Sequence, residues 1–148
     1  MRKLFIIVAL FLFCGCAPQP ESDNQKMIRI IHEACDVFNF SYDWAMAVMW
    51  SEHSGIKNIN QKCSHHRTAY GPGGMLYRTA KEDMGFDGKE EDLNNYEVSI
   101  PLCVAYMAKL YKAYGRMDYT VSHYQSGNKH NMKYFKKVQK IIFDGGCK

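Results

Sequence analysis

A mainly α-helical domain is what this sequence predicts, and three observations carry the prediction. Apolar residues recur at helical spacing in one segment after another. Glycine, proline and asparagine punctuate the chain between those segments. The strict alternation that marks a strand is nowhere convincing, which argues against a β-sandwich. The 148 residues suit one domain of ordinary size, and 47% hydrophobic against 23% charged residues reads as globular.

Residues 1–16 read as an export signal and not as structure. Arg2 and Lys3 make a positive start, and residues 4–13 form a ten-residue apolar run, too short to span a bilayer comfortably. Cys14-Gly15-Cys16 follows. The stretch resembles a bacterial lipoprotein signal, in which a glycine precedes the cysteine that receives lipid after cleavage. Cys16 holds that position, with Phe13 where Leu is usual. Ala17 is not the Asp that retains enteric lipoproteins in the inner membrane, so the resemblance points to the outer membrane. An ordinary cleaved signal is the alternative. Both expectations export the mature chain, to the periplasm in the lipoprotein case. Residues 17–23 make a short polar tether, and residues 24–148 the domain.

With Cys14 lost and Cys16 lipidated, Cys35, Cys63, Cys103 and Cys147 remain. An even number in an oxidising compartment leads us to expect two disulfides, with all three connectivities open. Arg2 and Lys3 supply two of the formal +4 charges, leaving +2 for the mature chain. That is too little to argue for a nucleic-acid partner.

The first helix is expected over residues 24–38, with Ser22 and Asp23 as capping candidates and Met27, Ile30, Ile31, Ala34 and Phe38 as its buried face. Asn39-Phe40-Ser41 turns the chain into the second helix, with Ser41 as its expected N-cap. Residues 56–70 read as a long polar loop, and Gly71-Pro72-Gly73-Gly74 as a sharp turn. A short helix is expected from Tyr77 to about Met84, then a mostly polar connector over residues 86–95. Residues 98–114 carry the strongest helical pattern, with Ser99 as expected cap and Pro101 placed in the first turn, where it is tolerated. Residues 119–125 and 132–143 give the last two helices, the final one basic through Lys133, Lys136, Lys137 and Lys140.

The second helix holds the candidate chemistry. Trp44, Ala45, Val48 and Met49 share one stripe, and Met46 and Trp50 add apolar surface on its flanks. Glu52 falls on the same stripe, and Gly55 offers a stop. Apolar surroundings and the negative end of the helix dipole both favour the protonated carboxyl there. A general acid working near neutral pH needs that property. The alternative is a Glu simply exposed at a helix end. His53, Cys63, His65 and His66 invite a zinc reading, but Cys-x-His-His with a distant histidine is not a standard ligand spacing. No metal or cofactor is expected. His53 is instead placed beside Glu52 as a hydrogen-bonding neighbour.

Four separated pieces then fall into the order of one family. The domain resembles the lytic transglycosylase domain of the soluble-lytic-transglycosylase and goose-lysozyme superfamily. The family's helix ending in Glu-Ser is matched by Ala47-Val48-Met49-Trp50-Ser51-Glu52-His53. Its Gly-Leu-Met-Gln segment leading to Thr-Ala is matched in length by Gly71-Pro72-Gly73-Gly74-Met75-Leu76-Tyr77-Arg78-Thr79-Ala80. Its next helix appears as Ser99-Ile100, Cys103 and Tyr106-Met107, and its Tyr-Asn-Ala-Gly segment as Tyr124-Gln125-Ser126-Gly127. A final Tyr followed by a Val fits Tyr134 and Val138. The resemblance covers roughly residues 27–142. His53 stands where relatives carry Ser, Pro72, Gly73 and Gly74 where they carry Leu-Met-Gln, and Gln125 where they carry Asn.

The resemblance implies a lysozyme-like helical fold and a peptidoglycan lytic transglycosylase, with Glu52 as the sole acid and base. It implies substrate contacts from Tyr124, Met75, Gly73, Gly74, His53 and Gln125. The implied partners are peptidoglycan glycan strands and, through an N-terminal lipid, a membrane. Glycoside cleavage with one carboxyl is possible where the substrate supplies the second group. A hydrolytic muramidase needs a second carboxylate, and residues 56–70 contain none. A non-catalytic wall-binding lipoprotein on the same fold is the remaining alternative.

Overall fold

The computed structural model describes residues 21–53 and 69–145, and they form a mainly helical domain. Cys16, Cys63, His65, His66 and Cys147 lie outside the described residues, as does the side chain of His53.

Helix α1 (Asp23–Phe38) starts at Ser22, whose hydroxyl accepts from the Gln25 amide while the Gln25 side chain accepts from the Ser22 amide. This reciprocal box satisfies two amides that the first turn leaves without partners. Met27, Ile30, Ile31, Ala34 and Cys35 are buried, but Phe38 is 39% exposed and does not complete the face. The reason lies one residue on. Asn39 turns left-handed at φ 50°, and Phe40 folds back into the core instead.

Helix α2 (Tyr42–His53) is buried through Ala45, Met46, Ala47, Val48 and Met49 in succession, so it is apolar all round and not on one stripe. Two two-residue strands come next among the described residues. β1 (Ala69–Tyr70) pairs antiparallel with β2 (Met75–Leu76) across the turn of residues 71–74. Strands this short cannot display the alternation that identifies a strand in sequence. Helix α3 (Tyr77–Met84) ends on Gly85.

The connector expected over residues 86–95 contains a 3-10 turn, Glu90–Asn94, that sinks Leu93 completely. Helix α4 (Tyr96–Tyr114) begins two residues earlier than expected. Asn95, not Ser99, is its cap: the Asn95 side-chain oxygen Oδ1 accepts from the Glu97 amide at 2.9 Å, and Ser99 is buried within the helix. Pro101 therefore lies in the second turn, where its missing N–H leaves the Glu97 carbonyl without the usual helical donor. Helices α5 (Met117–Ser126) and α6 (Met132–Phe143) complete the domain.

The core lies where α1 packs on α4, α4 on α5, and α2 on α6. Cys35 and Cys103 sit in it as thiols, so the two expected disulfides are not built from them. Each is fixed on a helix face by its own packing. Burial, with the nearby Asp36 charge, pushes the Cys35 thiol up to about 11. Among the described residues no helix is long and apolar enough to cross a membrane.

Gly71 shows how tightly the turn is held. Its φ is +67°, and an added Cβ would stand 2.1 Å from Ser99 Oγ on α4. Gly71→Ala is expected to cost about 3 kcal/mol, from left-handed strain plus overpacking. A thermal melt then shows a Tm lower by roughly 10 °C. Gly85→Ala, at a similar φ but with nothing within 4 Å, is expected to lose only about half as much.

Candidate active site

The last turn of α2 delivers Glu52 half-buried to the edge of the core. Its neighbours come from two other elements. Tyr134, in the first turn of α6, donates its hydroxyl to Glu52 Oε1 at 2.5 Å. Gly74, closing the hairpin turn, lies against Oε2: a Cβ added there would be 3.3 Å from that oxygen. One carboxylate oxygen is thus held by a phenol, and the other faces bare backbone. The Lys137 ammonium donates to the Ser51 carbonyl at 3.1 Å, putting a cation at the negative end of α2.

The hairpin is pinned from its far side. Tyr124 on α5 donates its hydroxyl to the Gly73 carbonyl at 2.7 Å. Cys103 on α4 closes on the same glycine, since a Cβ at Gly73 would meet its Sγ at 2.4 Å and the Tyr124 hydroxyl at 2.8 Å. Residue 73 has room for no side chain. Gly74 N donates to the Gly71 carbonyl at 3.1 Å and closes the turn, and Gly74 itself has φ +63°.

Both phenols keep their protons. Burial first, then the charge of Glu52 and the hydrogen bond to it, hold Tyr134 far above the ordinary tyrosine range. Burial first, then the Cys103 sulfur, with smaller contributions from Glu52 and Tyr134, raises Tyr124 well above that range. Each hydroxyl is therefore a donor at any working pH.

Beside the hairpin is a cavity of about 290 Å³, lined by Gly74, Leu76, Tyr106, His123, Tyr124 and Gln125 among others. Gly74 and Tyr124 line it, and Glu52 and Gly73 adjoin those two residues without lining it. Gln125 is at the cavity but its side-chain oxygen accepts from Asn131 Nδ2 at 2.7 Å. Met75 touches the cavity yet is only 2% exposed, so it is chiefly core, and Leu76 at 43% presents more apolar surface. Alternation across β2 turns one inward and the next outward. Tyr134 is the site residue that sequence reasoning matched without giving it a role. Its signal was its place with Val138, four residues on, on the apolar face of a basic helix.

Three other carboxylates have places of their own. Asp43 opens α2, nine residues and roughly 13 Å from Glu52. Glu82 pairs with Arg78, and Glu90 accepts from the Tyr70 hydroxyl. Chemically the arrangement offers one carboxyl, a neutral phenol on it and main-chain polar groups opposite. A scan against protein-family models finds no match to this chain, and searches of curated proteins and of solved structures find none either.

The raised Tyr134 phenol has a consequence for stability. Above about pH 10 the unfolded chain releases a proton that the folded site keeps, so stability falls as pH rises. Chemical denaturation between pH 8 and about 11 is expected to show this decline, and Tyr134→Phe is expected to lessen it, the raised Tyr124 supplying part of the remainder. At pH 7 the same variant loses the bond to Glu52 and about 1.5–3 kcal/mol of stability.

Proposed function

We propose that this chain is a peptidoglycan lytic transglycosylase with a lysozyme-like helical fold. The reading is carried by one observation: Glu52 sits at the end of a buried helix, one oxygen bonded to Tyr134 and the other facing the glycine turn. The order of the motifs along the chain supports the same reading. Export and a lipid on Cys16, anchoring the domain to the outer membrane, belong to the proposal.

The chemistry suits a single carboxyl. Glu52 donates its proton to the glycosidic oxygen between N-acetylmuramic acid and N-acetylglucosamine. The bond from the anomeric carbon to that oxygen breaks as the acetamido oxygen of the muramic residue attacks the carbon. The Glu52 carboxylate then takes the proton of the same sugar's 6-hydroxyl. O6 displaces the acetamido oxygen and closes a 1,6-anhydro ring. No water enters, and Glu52 ends protonated as it began. Tyr134 holds Oε1, leaving Oε2 for the proton transfers. The Gly73 and Gly74 backbone and the Tyr124 side face the bound sugar.

Digestion of purified sacculi, with mass spectrometry of the products, tests this. Anhydro-ended fragments with no label from ¹⁸O-water are expected, and Glu52→Gln is expected to cut the rate by about 10²–10⁴. Labelled reducing ends would establish a hydrolytic muramidase instead. Binding without any release would establish a non-catalytic wall protein. Wild-type cleavage by Glu52→Gln would remove Glu52 from the site.

A further inference from the structure

Charge is distributed unevenly along this chain. Residues 119–143 hold Lys129, Lys133, Lys136, Lys137 and Lys140 and no Asp or Glu. Several other basic side chains of the domain are paired locally. Arg29 pairs with Glu21 and with Glu33 four residues on, Arg78 with Glu82, and Arg116 with Asp118. Helix α6 departs from this. Lys133 and Lys136 make no ion pair among the described residues, and Lys140 meets only Asp144, at 4.0 Å. Residues 1–20, 54–68 and 146–148 carry no Asp or Glu side chain.

The spacing sharpens the point. Lys133 with Lys137, and Lys136 with Lys140, are four apart; Lys133 with Lys136, and Lys137 with Lys140, are three apart. All four lysines are exposed and share one face. Like charges at these spacings repel and weaken a helix. A face kept only for solubility interleaves signs, as α1 and α3 do. The repulsion on α6 is relieved when an anion lies along it.

Place decides what kind of anion. Tyr134, next to Lys133, holds Glu52, and Lys137 reaches the carbonyl of Ser51. The basic face thus begins beside the acid and runs about 10 Å along the helix from Lys133 to Lys140. A helix that lies on a lipid surface turns its apolar face outward. Here that face, with Tyr134 and Val138, is buried in the core.

We propose that Lys133, Lys136 and Lys140 form a docking surface for the carboxylates of the stem peptides on the glycan strand. This rests on the peptidoglycan reading of Glu52 and adds that the chain engages acidic, peptide-bearing strands. Lys137 is left out because it already serves the end of α2.

The test is co-sedimentation with purified sacculi, native or with their carboxylates amidated by carbodiimide and glycinamide, using the full mature chain in the Glu52→Gln background. The unaltered face is expected to bind native sacculi at least about tenfold more tightly than amidated ones, a difference that added salt erases. The triple variant Lys133→Gln, Lys136→Gln, Lys140→Gln, with an unchanged melt, is expected to bind both alike, at the weaker level. Equal binding of native and amidated sacculi by the unaltered face would overturn the proposal. So would full binding by the triple variant, or a stronger loss of binding to anionic phospholipid vesicles than to sacculi. Cleavage by the chain with Glu52 restored is scored separately. Anhydro products with no effect of the lysines retain the transglycosylase and remove the docking surface. Lysine-dependent binding without cleavage does the reverse.

Discussion

The hydrogen bond from the Tyr134 hydroxyl to Glu52 is the contact on which the site depends. It joins the last helix to the second across 82 residues of chain. Neither partner has freedom to leave it. Glu52 is carried by a helix buried on every side through Ala45 to Met49, so the carboxyl cannot shift without moving core. Tyr134 is anchored by Val138 one turn on, fully buried, and by the stack of Trp44 on Phe135 beside it. Preorganisation of this kind lets a polar group act without reorganising when charge moves.

The opposite wall is made of main chain. Tyr124 and Cys103 occupy the volume that a side chain at position 73 would need. The space is filled from the helix and not from the hairpin, and the backbone polar groups approach the carboxyl.

The helical class, the six helices to within about two residues at each end and the position of Glu52 were legible because long periodic segments announce themselves. What was missed was short or depended on distant partners. A hairpin of two-residue strands has no period to detect. The Glu90–Asn94 turn hides a single buried Leu93 among acids. Ser99 looked like a cap because serine usually is one, yet Asn95 captures the amide and Gly71 packs on Ser99 from afar. The role of Tyr134 depends on a contact that no local pattern encodes.

The glycine turn also bears on how this site would respond to selection. A compound seated between Glu52 and residues 73–74 would rest on peptide groups, not on replaceable side chains. Resistance usually arises by exchanging a side chain that touches the drug. At position 73 any larger residue collides with Cys103 and Tyr124, and at position 74 it meets Glu52 itself. This wall is therefore one that a side chain at position 73 cannot reshape without displacing Cys103 or Tyr124.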